Sequence, residues 1–290
     1  MALIRSSFNE LLKLPIEEIN VDTIENWRIK KRKEKGTKAS SVNRQVTALK
    51  SALNWGVDRG ILETNPMARL QSLQEDDSDT KVRYLHPEER ERLFAVLDAR
   101  EERIRTGRDN HNEWLEDRAK TVLPDLRKCK FVDHLQPIII VALNTGIRRG
   151  SLLKLRWSDI DFKECNLTVR PLNEKNGKLI YVPMNQLLTK TLIAWKEQTA
   201  GDDNGLVFPS PRTGNIMNDC KKAWAKILED ANIKNFRWHD MRHDFASQLV
   251  LRGTDLNVVR ELLGHSDMKM TLRYAHLAPQ VKRAAVDMLG

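Results

Sequence analysis

The chain has 290 residues, enough for two domains, and 40% of them are hydrophobic while 31% are charged. The formal net charge of +9 favours a polyanionic partner, because neutralised phosphates release counterions. The longest apolar run, residues 138–143, is too short to span a bilayer. Three distant cysteines without a CxxC pair argue against a zinc ribbon or a disulfide framework. We therefore expect a cytoplasmic protein that binds no membrane.

The N-terminal part, residues 1–72, contains patterns typical of helices only. A helix is predicted over residues 23–33, with Asp22 as its N-cap. Apolar residues at helical spacing predict a second helix that Ser40 or Ser41 caps. A polar, acidic stretch without periodicity follows and predicts a linker at residues 73–82.

The C-terminal part, residues 83–290, mixes helical patterns with one β region. Residues 166–170 and 178–183 read as strands around a turn at 173–177 that ends in Asn-Gly, which predicts an antiparallel hairpin. Further helices are predicted at 137–143, 187–195, 217–231, 240–251, 256–263 and 268–274. The stretch 99–134 is strongly polar, with Trp114, Leu115, Val122 and Leu123 as its few predicted anchors. The fold class is therefore mainly α with a small antiparallel β-sheet.

Six residues in this part have side chains suited to metal-free phosphate chemistry, each in a distinctive local sequence. One arginine lies in TGIRRG at 145–150, a lysine lies at the predicted hairpin tip, and a histidine and an arginine share HDMRHDFAS from residue 239. A second histidine follows in LLGHS, and a tyrosine lies in TLRYAH. The six residues are Arg148, Lys175, His239, Arg242, His265 and Tyr274.

These motifs resemble the catalytic boxes of the tyrosine recombinase family, the phage integrases, in order and in spacing, and the resemblance extends from about residue 10 to the end. It implies a helical, SAM-like core-binding domain at 1–72 and a mixed α/β catalytic domain at 83–290. Together these would form a C-shaped clamp around duplex DNA. It also implies cleavage and rejoining of DNA through a 3′-phosphotyrosyl intermediate, without metal or cofactor.

The residue types suit that reaction. Two arginines, Arg148 and Arg242, provide paired donors for the nonbridging phosphate oxygens, where negative charge develops. Tyr274 is the implied nucleophile. By resemblance, Lys175 is the general acid, with Lys178 as its rival, His239 is the base near the tyrosine hydroxyl, and His265 donates a hydrogen bond to the phosphate.

The resemblance also implies partners. These are double-stranded DNA attachment sites, a homotetramer on DNA that is a monomer or weak oligomer in solution, and a directionality or DNA-bending accessory protein. Candidate DNA contacts, mostly to phosphate, lie near the end of the first predicted helix and the start of the second. They are Lys30, Lys31, Arg32, Lys33, Lys38, Asn43 and Arg44.

Some features depart from the pattern or leave alternatives open. Ser151 stands where many relatives carry Glu. The sequence begins within the predicted core-binding domain without an arm-type domain, and we expect either a naturally minimal protein or a truncated one. His239 and His243, four residues apart, invite a zinc-hydrolase interpretation, but Asp240 stands where Glu is needed. We interpret His243 and His276 as structural. A catalytically inactive DNA-binding protein and a type IB topoisomerase are the remaining alternatives.

Overall fold

The computed structural model describes residues 2–74, 82–170, 179–278 and 286–288. Its contacts divide the chain into two compact units, residues 1–80 and residues 81–290. In the described ranges, no helix combines the length and the apolar character that crossing a membrane requires.

The N-terminal unit contains helices α1 (Ala2–Ser7), α2 (Val21–Lys35) and α3 (Ala39–Asp58). The predicted Asp22 cap is wrong, because the side chain of Asn20 accepts the backbone N–H of Thr23 at 3.0 Å and starts α2 earlier. The predicted serine caps of α3 are also wrong. Lys38 occupies the N-cap position, which places both serines inside the first turn.

The core of this unit is a single hydrophobic cluster. Phe8 stacks on Trp27 with ring centroids 4.3 Å apart, and the indole N–H of Trp27 donates to the Ser7 carbonyl at 3.2 Å. Apolar residues of α3, spaced three and four apart, complete the cluster and bury one face of that helix. They are Val42, Val46, Leu49 and Leu53.

The C-terminal unit contains eight helices within its described residues, together with a small sheet. They are α4 (Pro87–Glu116), α5 (Leu135–Thr145), α6 (Arg149–Leu152), α7 (Gln186–Thr199), α8 (Lys221–Asp230), α9 (Asp240–Leu251), α10 (Leu256–Leu263) and α11 (Lys269–Leu272). The predicted fold class is confirmed. Predicted boundaries match for α9 and α10, whereas α8 and α11 are shorter than predicted.

Helix α5 runs through the middle of this unit and packs against α7 and α9. It is apolar on all sides, as a helix surrounded by protein must be, and nine of its residues are buried. It ends at Gly146, whose φ of +61° is the left-handed conformation that glycine adopts without strain. The C-terminal end of α5 forms part of the candidate active site.

The sheet has three antiparallel strands in the order β1 (Ile160–Asp161), β2 (Asn166–Val169) and β3 (Ile180–Pro183). Leu167 of β2 lies opposite Ile160 and Val182, which directs apolar side chains of all three strands into the core. The two predicted strands are confirmed, and the sequence pattern missed the two-residue β1. The predicted turn at 173–177 lies outside the described residues.

The polar stretch 99–134 continues α4 to Glu116 and returns irregularly toward α5. The predicted anchoring role is wrong for Trp114, Val122 and Leu123, because all three are exposed. Polar contacts tie the return segment to α4 instead. Arg127 pairs with Asp109 at 2.7 Å and with Glu102 at 2.9 Å.

Candidate active site

Arg242 joins three helices at the centre of the site. It lies on α9 and is buried. Its Nη1 donates to the Gly146 carbonyl at 2.8 Å, and its Nη2 donates to the Leu263 carbonyl at 2.6 Å. These carbonyls lie at the C-terminal ends of α5 and α10, where carbonyls lack intrahelical partners and carry partial negative charge. One guanidinium therefore fixes both helix ends against α9.

The two segments that leave these ends carry predicted site residues. Arg148 follows Gly146 by two positions and forms the N-cap of α6, and His265 directly follows Gly264, the C-cap of α10. A Cβ atom built on Gly146 would lie 2.5 Å from the Phe245 ring. Glycine is thus needed there both for the backbone conformation and for space.

Gly264 is under a stronger constraint, because a Cβ atom there would lie 2.1 Å from Cδ1 of Ile180 on β3, at a φ of +61°. We expect Gly264→Ala to lower the free energy of unfolding by about 2–5 kcal/mol, from left-handed strain and overpacking together. Gly253→Ala is the control, since Gly253 has φ +86° and nothing within 4 Å.

Urea unfolding of four variants, namely Gly264→Ala, Gly253→Ala, Ile180→Ala and the double variant, separates the two effects. Gly253→Ala should show the left-handed strain alone, about 1–2 kcal/mol. Adding Ile180→Ala to Gly264→Ala should cost less than the two single losses combined, because Ile180→Ala removes the clashing atoms. Strictly additive losses would show that contact with Ile180 is not the cause.

Arg148 and Arg242 place two positive charges close together. Burial, and secondarily the charge of Arg148, lower the pKa of Arg242 to about 10. Arg148 is exposed. Within the described residues, neither guanidinium forms a salt bridge with a carboxylate. Such a pair of like charges, one exposed and one buried beneath it in charge contact, is suited to an anion with several oxygens.

His265 lies beside these arginines. Its Nδ1 is 2.9 Å from the hydroxyl oxygen of Thr271, a buried residue of α11. Burial, followed by the charges of Arg242 and Arg148, lowers the pKa of His265 to about 4. The imidazole is therefore neutral at neutral pH.

Tyr274 follows α11 and begins a 3₁₀ turn at Ala275–Leu277. Its side chain is 1% exposed, and its hydroxyl lies 2.8 Å from Nδ1 of His243. Burial raises the pKa of Tyr274, and the charges of Arg242 and Arg273 partly oppose that rise. The phenol therefore keeps its proton at neutral pH while lying within the electrostatic reach of Arg242.

The hydroxyl of Tyr274 contacts a histidine other than the predicted one. The expected neighbour of the hydroxyl, His239, is exposed at the N-cap of α9, and its ring meets the His243 ring edge-on with centroids 5.2 Å apart. Partial burial and then the charge of Arg242 lower the pKa of His239. The hydroxyl contacts His243, the residue that we interpreted as structural from the sequence. Its position one helical turn after His239 was the only signal in the sequence.

The structure thus brings five predicted residues into one region, in which Arg242 is the common neighbour. Pairwise charge effects link Arg242 to each of the other four, namely Arg148, His239, His265 and Tyr274. Lys175 and its rival Lys178 lie outside the described residues. Ser151 lies in the short helix α6. The backbone N–H groups of Ser151 and Leu152 both donate to the Arg148 carbonyl at 2.9 Å.

The zinc interpretation finds no support in this geometry. No cluster of three or more histidine, cysteine, aspartate or glutamate side chains suited to a metal ion occurs among the residues that the structure describes. Asp240, where that interpretation needs a glutamate, is buried and accepts hydrogen bonds from the backbone N–H and the guanidinium of Arg237.

Most of the predicted DNA contacts in the N-terminal unit lie on accessible surface. The exposed ones are Lys30, Arg32, Lys33, Lys38 and Arg44, and Lys31 is half-buried over the Trp27 ring. The prediction for Asn43 is wrong. Asn43 is buried, and its amide group both donates to and accepts from the backbone of Leu73, at 2.9 and 2.8 Å. Asn43 thus holds the end of this unit in place.

Residues 124–281 match the sequence model of the phage integrase family. The integrase of Salmonella phage P22 is 32% identical over 177 residues, which cover 57% of this chain and 44% of that protein. A XerC-like tyrosine recombinase of Caldanaerobacter subterraneus is 25% identical over 293 residues, which cover 89% of this chain and 67% of that protein. The chain therefore spans from under half to about two thirds of the length of these relatives.

Solved structures agree with the fold. The XerH site-specific recombinase bound to a palindromic difH substrate superposes with a TM-score of 0.68 at 16% identity, covering 98% of this chain and 77% of that one. The Tn1549 transposon integrase in complex with transposon right end DNA gives a TM-score of 0.66 at 20% identity, covering 95% and 87%. The family match spans more than half of the chain, and the chain therefore belongs to the phage integrase family of tyrosine recombinases.

Proposed function

We propose that the chain is a site-specific DNA recombinase that integrates or excises a mobile element by cleaving and rejoining DNA through a phosphotyrosine. The observation that carries this proposal is the pair of guanidiniums, Arg148 and Arg242, of which Arg242 lies within electrostatic reach of the phenol of Tyr274. A phosphodiester under attack concentrates charge on its nonbridging oxygens, and paired guanidinium donors stabilise that charge. Storing the bond energy in a phosphotyrosine lets rejoining proceed without ATP.

Each remaining residue has a part in this proposal. If the Thr271 hydroxyl donates to Nδ1 of His265, Nε2 carries the ring proton and donates to the phosphate. His239, exposed beside the arginines, is a second donor on the open face. Lys175 is proposed to protonate the 5′ oxygen as it leaves. The guanidiniums supply the charge stabilisation that a metal ion supplies in other enzymes, so no metal or cofactor is required.

We also propose roles for the two parts of the chain. Residues 83–290 carry out the reaction, and residues 1–72 bind the DNA next to the cleavage point through their exposed basic side chains. These contacts would neutralise phosphates and make binding fall with rising salt. The contacts are Lys30, Lys31, Arg32, Lys33, Lys38 and Arg44.

The stoichiometry of strand exchange supports a larger assembly. Joining two duplexes requires cleavage of four strands, and each copy of the chain contributes one Tyr274, so four copies are needed on the DNA. The exposed Val286 and Met288 near the C-terminus offer apolar surface for contact with another copy. A directionality or DNA-bending partner would act on this assembly, in the cytoplasm where the DNA lies.

Trapping of a covalent adduct tests the function. The probes are nicked DNA duplexes that are first selected from a random pool because they bind the protein. The selected duplexes are then incubated with the protein in the presence of EDTA. A nick just downstream of the cleavage point makes the fragment that bears the released 5′ hydroxyl very short. This fragment diffuses away, which prevents rejoining. We expect a protein–DNA adduct whose proteolytic peptide carries a nucleotide on Tyr274. An adduct on another residue, or none on any selected duplex, would contradict the proposal.

A further inference from the structure

The hydroxyl of Tyr274 has a defined partner inside the protein. Its oxygen lies 2.8 Å from Nδ1 of His243, and the tyrosine side chain is 1% exposed. A buried hydroxyl without a partner would destabilise the fold. In the described part of the chain, His243 provides the only hydrogen bond to this oxygen. The contact therefore determines where the phenolic proton points.

The ionisation states of both side chains allow the phenol to donate this hydrogen bond. Burial and then the charge of His239 lower the pKa of His243 to about 4, so the imidazole is neutral at neutral pH and has one nitrogen with a lone pair. The pKa of Tyr274 is raised, so the phenol has a proton to donate. In the tautomer that carries the ring proton on Nε2, Nδ1 of His243 accepts the O–H of the phenol.

We propose that His243 accepts the proton of Tyr274 as the tyrosine attacks the DNA phosphate. The proposal rests on the recombinase function and adds a catalytic residue to it. An electron pair of the phenol oxygen forms the bond to phosphorus, and the O–H proton moves to Nδ1. The bond from phosphorus to the 5′ oxygen breaks with its electron pair, and that oxygen takes a proton from the general acid, the role proposed for Lys175. Rejoining runs these transfers in reverse.

The charged groups around His243 connect this role to DNA binding. His239, Arg242 and Asp240 act on it from its own helix, and Arg273 acts from the segment after α11. Only Asp240 favours the protonated imidazole. A phosphate bound by the arginines would offset their positive charge and raise the pKa of His243. His243 therefore becomes a better proton acceptor when DNA is in place.

The histidine that precedes it by one turn is less suited to this step. His239 is exposed, and within the described residues it makes no hydrogen bond to the phenol. Its ring touches only the edge of the His243 ring. The two histidines therefore have different surroundings. His243 contacts the nucleophile, whereas His239 is exposed on the open face of the site.

Two substitutions distinguish a proton acceptor from a structural contact. In His243→Asn the amide oxygen takes the place of Nδ1 and accepts the hydrogen bond, but it does not take up a proton. His243→Ala removes both properties. We expect both variants to form the adduct on the nicked duplexes about 10²–10⁴-fold more slowly, with retention of the duplex unchanged. A wild-type rate in His243→Asn would overturn the proposal.

A substrate with sulfur in place of the bridging 5′ oxygen shows on which side the residue acts. A thiolate leaves without a proton, so this substrate should restore cleavage by Lys175→Ala and leave His243→Asn slow. Restored cleavage by His243→Asn would assign the histidine to the leaving group and overturn the inference. If the wild-type chain formed no adduct, the recombinase function would fail as well, whereas a fast His243→Asn variant defeats this inference alone.

The hydrogen bond itself is measurable without DNA. In a chain labelled with ¹⁵N-histidine, we expect Nδ1 of His243 to be unprotonated and hydrogen-bonded near neutral pH, and its shift to change in Tyr274→Phe. A protonated Nδ1 would mean that the imidazole donates to the phenol, and the inference would be wrong.

Discussion

With phenylalanine in place of Tyr274, the chain is expected to bind the selected duplexes within about twofold of wild type but to form no covalent adduct. The ring remains in its cluster with Ala246, Val250, Val259 and Leu263. Only the hydroxyl is lost, and with it the oxygen that bonds to phosphorus. Loss of the hydrogen bond to His243 should cost about 1 kcal/mol of folding free energy, too little to unfold the chain.

The matched control for this variant is Tyr181→Phe. Tyr181 lies on β3 and is 62% exposed, so its hydroxyl has little influence on stability or on the site. Adduct formation on nicked duplexes and their retention on a filter are measured for both variants. Any adduct with Tyr274→Phe would identify a different nucleophile, and equal loss in the control would point to a general defect.

Arg242→Ala is expected to lower both stability and activity strongly. The substitution leaves the carbonyls of Gly146 and Leu263 without their donor, and each buried unpaired carbonyl costs about 1–3 kcal/mol. The two carbonyls together should lower the free energy of unfolding by about 2–6 kcal/mol, and the gap left by the side chain adds a packing loss. Adduct formation should fall at least about 10²–10³-fold, as expected when a donor to the developing charge is removed.

Two companion variants separate these losses. Arg252→Ala removes an exposed arginine at the end of the same helix and should change stability by less than about 0.5 kcal/mol. Arg242→Lys keeps the charge but lacks the planar fork that reaches two carbonyls at once. It should therefore lose stability as well. If urea unfolding showed that Arg242→Lys is as stable as wild type, the two hydrogen bonds from Arg242 would not be what stabilises the packing of the two helix ends.

Local sequence patterns predicted most of the elements in the C-terminal unit. The apolar spacing and the glycines at 253 and 264 located α9 and α10 to the residue. Strand patterns around an Asn-Gly turn predicted β2 and β3. These features depend on side-chain period and on backbone conformations that neighbouring residues determine.

Predictions failed where a side chain meets a partner that the local pattern does not reveal. Asn43 looked like a polar surface residue, yet it binds the backbone of Leu73, thirty positions away. The exposed Trp114 looked like a core anchor, but Arg118 and Lys120 lie over its ring, 4.3 and 4.9 Å from the centroid. Amino-acid type limits where a side chain is stable, and the partner it meets depends on how the chain packs.

The amino-acid sequence alone predicted six of the side chains in the proposed chemistry, because motifs of this kind specify residue type and local spacing, but it did not single out His243. Tertiary structure decided how they connect. Arg242 reaches across 96 residues to Gly146, and Tyr274 pairs with His243, thirty-one residues before it. No period or cap encodes such contacts. They arise only when α5, α9 and α10 pack together, since that packing brings the buried polar groups to the partners they require.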